Sequence, residues 1–324
     1  MRPSYFLLSV STRQNLELCI KFAHSGFMNN ISGVWTFHEI KEGDYVSFLY
    51  GARAYNLYKV EQKVAIKNSE TCPPWQPITF QQSKKTYYFP FRLFLKPIRE
   101  FNEPLVRAEF AYVAENLLLR GGYRRTHFQA DQTMLQSVSQ MGTLWKNRVS
   151  ILDLTDFQKF VPSFSKNREI VNIPEVLPFH EYILQALVKD YLRDFRHLQE
   201  LLQATGVTGI SPERLEILGE KALPQGHVDI LLKEANPAGT SYKIILEIKV
   251  GPAITRDISQ LHNYTIEIGA ECITSWLVAK DIRSNVQKLA LDKRISIIKY
   301  SIPELNSNAL TYGELLNDFK MELS

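Results

Sequence analysis

The sequence predicts two domains, a mostly β domain followed by an α/β domain, and three observations support this fold class. The chain has 324 residues, whereas single hydrophobic cores usually stop growing at about 250 residues. Short alternating apolar segments fill the first half, and longer helix and strand patterns alternate in the second half. A segment with three prolines and no sustained period, 161–178, separates the two patterns. We therefore expect domains at 1–160 and 179–324, joined by a linker at 161–178.

The first domain is predicted to be mostly β, with helices at its periphery. Four segments rich in aromatic and β-branched residues lie between turn residues, which is typical of strands: SYFLLSV, DYVSFLYG, AYNLYKVEQKVAI and YYFPFRLFLKPI. The helical period predicts peripheral helices at 12–23 and 103–119.

The second domain is predicted to be a mixed sheet flanked by helices. A long amphipathic helix over 180–203 is expected from one apolar face, formed by Ile183, Leu187, Tyr191, Leu192, Phe195 and Leu198. Three strand patterns follow it: RLEILGEKAL, HVDILLK and YKIILEIKV. A helix over 254–268, the strand ITSWLVAK, a helix over 282–291 and the strand ISIIKYS complete the domain. Strands that alternate with helices in this order indicate an α/β sheet.

The composition is that of an ordinary globular protein, with 45% hydrophobic and 22% charged residues. The sequence has no apolar stretch of about 18 residues and no signal-peptide pattern at its start. We therefore expect a cytoplasmic protein that does not enter a membrane. Its three cysteines, Cys19, Cys72 and Cys272, form no CxxC pair, which disfavours a disulfide framework or a zinc site.

The charge is divided unevenly along the chain. Residues 1–165 carry 20 Lys and Arg against 13 Asp and Glu, giving +7. Residues 166–324 carry 18 against 21, giving −3, and the two values sum to the net +4. A basic first half suits a polyanionic partner such as DNA, and an acidic second half suits a metal-dependent centre. The alternative is ordinary solvated surface charge.

Acidic residues interrupt two predicted strands that should be apolar. Asp229 and Glu247 lie on adjacent strands of a predicted hairpin, where their side chains can converge. An isolated carboxylate in an apolar setting is costly, and two neighbouring carboxylates repel unless a cation lies between them. Mg²⁺ is the usual cation for such a site. Lys249 follows Glu247 by two residues, so strand alternation places both on one face.

These residues resemble the PD-(D/E)xK nuclease superfamily. Seventeen residues separate Asp229 from the Glu-x-Lys of Glu247 and Lys249. Gln260 and Tyr264 form a Q-x-x-x-Y pattern on the next helix, as in the RecB-like and NucS-like branches, and LEILGEKALPQGHVDILL resembles the segment that leads into their aspartate strand. The resemblance spans roughly 175–300 and implies a restriction-endonuclease-like sheet.

The resemblance also implies phosphodiester hydrolysis with Mg²⁺, or with Mn²⁺ in its place. Asp229 and Glu247 would hold the ion, together with Glu181 early on the long helix, and Lys249 would orient or help deprotonate the attacking water. Gln260 and Tyr264 would complete the catalytic set. The alternative for these last two residues is packing on one helix face, and for Glu181 it is an ordinary acid at a helix N-terminus.

The first half resembles the PUA-like group that includes EVE and YTH domains. The resemblance covers roughly 4–135 and depends on SYFLLSVSTRQNLELCIKFAHSGFMNN, on IKEGDYVSFLYG, and on a tryptophan before YYFPFRLFL. It implies a PUA-like barrel with an aromatic pocket for a base removed from the stack. The candidate walls are Phe27, Trp35, Tyr50 and Trp75, with Phe27 at the place where the family pattern has tryptophan. The alternative for each of these aromatic residues, taken singly, is that it packs in the hydrophobic core and does not form a pocket wall.

Candidate contacts to a DNA backbone lie nearby in sequence. The basic, glycine-containing stretch RGGYRRTHFQ carries Arg120, Arg124, Arg125 and His127. Arg53, in YGARAY, is a further candidate. The alternative for the stretch is a solvated turn.

Together the halves predict a modification-dependent DNA endonuclease, similar to type IV restriction enzymes. Its partner would be base-modified DNA, and double-strand cleavage predicts a homodimer. One alternative is a structure-specific or repair endonuclease whose first domain recognises branched, mismatched or single-stranded DNA. Another is an RNA-binding protein with a degenerate nuclease fold. A small-molecule enzyme is disfavoured because no GxGxxG, Walker or Ser-His-Asp pattern is present.

Overall fold

The structure, a computed structural model, describes residues 2–106, 126–154, 157–223 and 226–324. The chain divides into two compact units. The first unit comprises Arg2–Phe164 and Arg168–Pro178, and the second comprises Ser165–Asn167 and Phe179–Ser324. The predicted linker at 161–178 is thus divided between the units.

The first unit consists mostly of strands with short helices around them. In chain order its elements are β1 (Tyr5–Ser9), α1 (Arg13–Phe22), β2 (His24–Phe27), α2 (Ile31–Glu39), β3 (Tyr45–Tyr50), β4 (Arg53–Ile66), β5 (Ile78–Thr79), β6 (Thr86–Tyr87), β7 (Phe91–Glu100), β8 (Leu105–Val106), β9 (His127–Ala130), α3 (Gln132–Val138), β10 (Thr143–Leu144) and β11 (Lys159–Phe160). Strands β12 (Ser163–Ser165) and β13 (Val176–Pro178) follow.

One large sheet dominates this unit. Its main path has the order β10-β7-β4-β3-β1-β9, with β8 and β11 also paired to β4 and β2 paired to β7. Strand β1 runs parallel to β3 and antiparallel to β9. Among the described strands this path is open, with β9 and β10 at its ends, so the closed barrel implied by the PUA-like resemblance is not shown.

The four strands predicted for this unit are present as β1, β3, β4 and β7. The predicted helix at 12–23 is α1, whose start is capped by Thr12 through a hydrogen bond from the Asn15 N–H. The prediction of a helix from residue 103 is wrong at its start, because Leu105–Val106 is a strand paired with β4. The rest of that predicted helix, 107–119, lies outside the described residues.

The second unit is an α/β arrangement. Its elements are α4 (Glu181–Arg193), α5 (Phe195–Ala204), β14 (Leu215–Leu223), β15 (Gly226–Glu234), β16 (Lys243–Lys249), α6 (Thr255–Ile268), β17 (Cys272–Ala279), α7 (Ser284–Asp292), β18 (Ile295–Ser301), β19 (Leu310–Thr311), α8 (Tyr312–Asp318) and β20 (Lys320–Leu323). Short 3₁₀ turns at Pro212–Arg214 and Gly269–Glu271 precede β14 and β17. Of the helices in the described ranges of the whole chain, none has the length and apolar character that crossing a membrane requires.

The sheet of the second unit is mixed, as predicted. Its order is β14-β15-β16-β17-β18-β20, in which β14, β15 and β16 form antiparallel pairs and β16, β17 and β18 run parallel. Helices α6 and α7 connect the parallel strands and pack on one face of the sheet. Because parallel strands end at a common edge, the C-terminal ends of β16, β17 and β18 lie together there.

The predicted helix over 180–203 is two helices. Helix α4 ends at Asp194, whose backbone is extended (φ −73°, ψ 114°), and α5 begins immediately after it. The Asp194 carboxylate caps α5 by accepting a hydrogen bond from the Arg196 N–H. Aspartate interrupts the helix without proline or glycine because its side chain substitutes for a backbone partner at a helix start.

Candidate active site

The site begins where the pairing of β15 and β16 stops. The paired residues of β15 and β16 extend from Lys233↔Lys243 to Ile230↔Leu246, and one further step would place Asp229 opposite Glu247. Instead of continuing the ladder, Asp229 accepts a hydrogen bond through Oδ2 from the Ile248 N–H at 2.7 Å. Directly opposed residues of antiparallel strands share a face, so the two carboxylates converge at this edge.

Glu247 is buried, with 2% of its surface exposed, and it is the centre of the cluster. The Lys249 Nζ lies 2.8 Å from its Oε1, because alternation places both side chains on one face of β16. The Gln260 Nε2 lies 3.5 Å from the same oxygen, at the outer limit of a hydrogen bond.

Helix α6 supplies the next side chains. Gln260 and Tyr264 are one turn apart on the same helix face, and the Gln260 Nε2 donates to the Tyr264 hydroxyl at 3.1 Å. The Tyr264 ring is buried in the core between α6 and the sheet. The structure therefore brings together five sequence-predicted residues: Asp229, Glu247, Lys249, Gln260 and Tyr264.

Burial and like charge govern the electrostatics of the two carboxylates. Burial raises the pKa of Asp229 well above its ordinary value, and the neighbouring carboxylates of Glu247 and Glu220 raise it further. Burial also raises the pKa of Glu247, against the opposing effect of the Lys249 ammonium. Both groups are thus in a setting that disfavours two negative charges in the absence of a cation.

Lys249 is a cation in this setting. Burial alone would lower its pKa, but the adjacent Glu247 carboxylate raises the pKa above its ordinary value. An ammonium with a raised pKa stays protonated at neutral pH. Its 2.8 Å contact with Glu247 places this positive charge in the carboxylate cluster, and both predicted roles of Lys249, offsetting charge on a phosphate and orienting or helping to deprotonate water, stay predictions.

Glu181 is the first residue of α4 and lies close enough to influence the cluster. Its charge raises the pKa of Asp229 and of Glu247, although less than burial does. Within the described ranges, however, no group of three or more His, Cys, Asp or Glu side chains is close enough to hold a metal ion. The predicted three-carboxylate set of Glu181, Asp229 and Glu247 is therefore not assembled around one point.

Two residues that contact this cluster were not predicted from the sequence. The Gln185 Nε2 donates to Asp229 Oδ1 at 2.8 Å. Asp257 lies on α6 with its Oδ1 3.9 Å from the Lys249 Nζ, and its Oδ2 accepts a hydrogen bond from the Ile254 N–H. Gln185 had a sequence signal, because it is a polar residue on the buried face of an amphipathic helix, one turn after Glu181.

The donor atoms of this cluster fit a hard divalent cation. Both Glu247 Oε2 and Gln185 Oε1 are buried and have no hydrogen-bond partner within the described parts of the chain. Each is an oxygen of the type that Mg²⁺ prefers, and a carboxylate pair supplies the charge that such an ion needs. A site of this kind keeps several waters and a substrate phosphate in the remaining positions.

The aromatic residues predicted to form a base pocket are mostly buried in the first unit. Trp75 stacks on His24, with ring centroids 5.6 Å apart, and Trp35 packs against His127 at 4.4 Å. Phe27 is 4% exposed. This burial gives Phe27, Trp35 and Trp75 packing contacts, so none of the three presents an open face for a base. Tyr50 differs, since it is half-buried at the end of β3.

The predicted backbone contacts are also partly corrected. His127 is 4% exposed and its Nδ1 is 2.8 Å from the Thr36 hydroxyl, so its burial argues against contact with a DNA backbone. Arg53 is exposed at the start of β4, opposite Tyr50 across the hairpin. The remaining predicted contacts, Arg120, Arg124 and Arg125, lie outside the described residues.

No family model matches the chain, and neither does any curated protein. Among solved structures, the chain is similar to a repair endonuclease from Pyrococcus abyssi at 18% identity and a TM-score of 0.24, over 35% of this chain and 46% of that chain. EndoMS in a complex with double-stranded DNA shares 22% identity at a TM-score of 0.22, over 31% of this chain and 42% of the other. The MspJI restriction endonuclease in complex with a 27-mer oligonucleotide shares 10% identity at a TM-score of 0.20, over 90% of this chain and 63% of that chain.

The chain thus spans less than half the length of the first two structures that it matches. These similarities are low, so the activity proposed below depends on the residues of this chain.

Proposed function

We propose that this protein is a metal-dependent DNA endonuclease of the PD-(D/E)xK type. The observation that carries the proposal is the carboxylate pair of the half-buried Asp229 and the buried Glu247, with the Lys249 ammonium 2.8 Å from Glu247. A fold has little reason to bury two mutually repelling acids on adjacent strands unless a cation and an anionic substrate complete the site.

Each residue of the cluster has a role in this proposal. Asp229 and Glu247 would hold Mg²⁺ or Mn²⁺, which when bound polarises a phosphoryl oxygen and lowers the pKa of water. Lys249 offsets the negative charge that accumulates on the phosphate during displacement. Gln260 approaches Glu247 from the side of α6 and donates to the Tyr264 hydroxyl, and both α6 residues would border the space open to substrate. Gln185 holds Asp229 in place from α4.

We further propose that the first unit selects the DNA by reading a modified base that has left the stack. The support is the sequence resemblance to EVE and YTH domains. Of the four predicted aromatic residues, Tyr50 retains exposed surface, and the exposed Arg53 lies beside it. A base pocket at this hairpin would combine a stacking surface with a cation for the backbone. Cutting both strands requires two active sites, so the enzyme would act as a homodimer.

A second candidate is a structure-specific or repair endonuclease, and one observation favours it. The burial of Phe27, Trp35 and Trp75 removes three walls of the predicted cage, and structure recognition needs no cage. An RNA-binding protein with a degenerate nuclease fold is disfavoured, because Asp229, Glu247 and Lys249 are all in place, and loss of function would relieve the cost of the buried charges.

The test is a cleavage assay with the purified protein, Mg²⁺ and matched duplexes that are unmodified, cytosine-modified or adenine-methylated. Branched and mismatched DNA complete the substrate set. Glu247→Gln is the control, since it removes one charge of the carboxylate pair and preserves the shape of the side chain. We expect cleavage by the wild-type protein and at least a 100-fold loss in the variant, on the order of 3 kcal/mol of transition-state stabilisation.

The outcomes separate the candidates. Cutting of one modified duplex alone supports modification-dependent cleavage and identifies the base. Cutting of branched or mismatched DNA supports the repair function. Equal behaviour of the wild type and Glu247→Gln on every substrate would overturn the nuclease proposal.

A further inference from the structure

Helix α6 carries a polar outward face that the catalytic cluster does not use. Arg256, Ser259 and Asn263 are spaced at helical intervals, so they lie along one side of the helix. With Gln260 and Tyr264 they line a shallow cavity of about 310 Å³ that is open to solvent, and all five lining residues belong to α6. Two of them, Gln260 and Tyr264, also belong to the candidate active site.

The three outward residues are all exposed and all carry hydrogen-bond donors. Within the described parts of the chain, Arg256 makes no ion pair and the Asn263 side chain makes no hydrogen bond. Ser259 donates only to the backbone carbonyl of Thr255, at 3.2 Å, within its own helix. The donors of Arg256 and Asn263 are thus free to bind a ligand that accepts hydrogen bonds, and Ser259 can donate to it by turning its hydroxyl away from the Thr255 carbonyl.

Helix stability does not explain why an arginine lies at position 256. It is the second residue of α6, and a cation in the first turn of a helix is opposed by the helix dipole. The favourable position is filled by the neighbouring Asp257, whose carboxylate accepts from the Ile254 N–H. An exposed guanidinium at a helix start, beside a cavity, is instead suited to an anionic ligand.

We propose that this face of α6 binds the phosphodiester backbone of the DNA strand next to the scissile phosphate. Arg256 pairs with a phosphate, and Ser259 and Asn263 donate hydrogen bonds to the same backbone further along. The inference deepens the proposed nuclease function and rests on it. Seven residues of helix span about 10 Å, which corresponds to about three nucleotides at 3.4 Å per nucleotide.

The experiment measures binding of a short fluorescein-labelled duplex by fluorescence anisotropy over a range of salt concentrations. All proteins carry Glu247→Gln, so that no cleavage occurs during the titration. Arg256→Ala should weaken binding and reduce the slope of log Kd against log salt by about one, the effect of one lost phosphate contact. Arg256→Lys should restore much of that slope. Asn263→Ala should weaken binding but leave the salt slope unchanged, because asparagine carries no charge.

Lys293→Ala is the matched control. Lys293 is exposed and precedes β18, at the sheet edge opposite to the one where Lys249 lies, so its loss removes one charge far from the proposed surface. Since Arg256 is exposed and forms no ion pair, its variants should melt at the wild-type temperature. A salt slope for Arg256→Ala equal to that of Lys293→Ala would overturn the inference.

Failure here is distinguishable from failure of the proposed function. If the wild-type protein cuts DNA but Arg256→Ala keeps the full salt slope, only the backbone contact is wrong. If Arg256→Ala loses the slope while the wild-type protein cuts no substrate, the binding surface stands and the nuclease function fails. If the parent protein binds no duplex in any condition, both are wrong.

Discussion

Asp229 has a structural role besides its place in the candidate site. Its two carboxylate oxygens accept hydrogen bonds from the Ile248 N–H and from the Gln185 amide. At the same time it lies half-buried next to Glu247, and desolvation together with that neighbouring charge raises its pKa. The negative charge therefore costs stability, while the hydrogen bonds of the side chain contribute to it.

We expect Asp229→Asn to raise the free energy of unfolding in EDTA by about 1 kcal/mol, since a neutral side chain relieves the repulsion from Glu247. The side-chain carbonyl of the asparagine can still accept a hydrogen bond from the Ile248 N–H. Its amide can donate to Gln185 Oε1, an oxygen that has no hydrogen-bond partner in the described parts of the wild-type protein. Denaturant unfolding in EDTA measures the effect. Stabilisation by added Mg²⁺ should be reduced in the variant.

Asp190→Asn provides the comparison, because Asp190 has favourable partners. Its carboxylate lies 2.8 Å from Arg193 and accepts a hydrogen bond from the Tyr312 hydroxyl at 2.7 Å. Removing that charge should lower stability. Equal destabilisation by both substitutions would contradict the argument that Asp229 is held against charge repulsion.

His24 is a second residue whose protonation is coupled to folding. Its ring is 1% exposed, stacked on Trp75 and in edge contact with Phe94. Burial, and then the charge of Arg92, lower its pKa from 6.5 to about 3. The folded chain thus keeps this ring neutral, whereas the unfolded chain takes up a proton near pH 6.5.

We expect stability to fall as the pH decreases from 6.5 towards 3, because the unfolded state binds the additional proton over this window. His24 contributes about 1.4 kcal/mol per pH unit to the slope. His24→Phe should remove this contribution and leave the parallel one from His38, whose pKa burial also lowers. Unfolding free energies measured from pH 6 to pH 4 test this. Identical slopes in the two proteins would contradict it.

At the residue scale, the clustering of Asp229, Glu247, Lys249, Gln260 and Tyr264 was predictable, and the packing of the aromatic residues was not. Acidic residues inside apolar strands are unusual enough to be noticed, and alternation by two fixes the face of Lys249 relative to Glu247. A buried tryptophan and a base-stacking tryptophan have the same hydrophobic pattern, so sequence cannot separate packing from binding for Trp35 or Trp75. Gln185 required knowledge of which strand α4 faces.

At the scale of elements, the start of α2 depends on a close approach between Gly33 and the backbone of Met28. The Gly33 N–H is capped by Asn30 Oδ1 at 2.8 Å, and a Cβ on Gly33 would lie 1.9 Å from the backbone oxygen of Met28. No side-chain rotation relieves a clash with a backbone atom. Any larger residue at position 33 of α2 therefore requires the backbone at Met28, just before the helix, to move.

Two Gly-to-Ala substitutions in helices should have opposite effects. Gly33→Ala should lower stability by roughly 1–3 kcal/mol, because the backbone at Met28 must move. Gly313→Ala in α8 should raise it by about 0.5 kcal/mol, since a Cβ there meets nothing within 4 Å and alanine favours the helix. Calorimetry of both variants measures the shifts. A stabilising Gly33→Ala would show that Met28 lies elsewhere.

Most element types were predictable, and their boundaries were less so. A regular spacing of apolar residues correctly predicted β1, β3, β4 and β7, and the order β16-α6-β17. The break at Asp194 was missed, since the apolar face continues from α4 into α5 and aspartate is compatible with both a helix and a cap. Strand β8 was missed because it pairs with β4, about fifty residues away in sequence.

At the scale of the whole molecule, each unit has its own hydrophobic core. In the first unit, β1 and β4 pack with α3, and in the second the sheet packs with α6 and α7. The proline-containing segment indicated where the pattern changes. It could not show that Ser165–Asn167 belongs to the second unit, because that assignment depends on hydrogen bonds from Ser165 and Lys166 to Leu305, far along the chain.

The hydrogen bond from Ile248 to Asp229 has a practical consequence for capturing this protein with its substrate. Asp229→Ala would remove a proposed metal ligand and also the hydrogen bond to the Ile248 N–H at the end of β16, so a loss of activity in this variant would have two causes. Glu247→Gln leaves the hydrogen bond between Asp229 and the Ile248 N–H intact, and its side-chain oxygen can still contact Lys249 and Gln260. For co-crystallisation with uncut DNA, the substrate of the proposed function, Glu247→Gln is therefore the variant of choice.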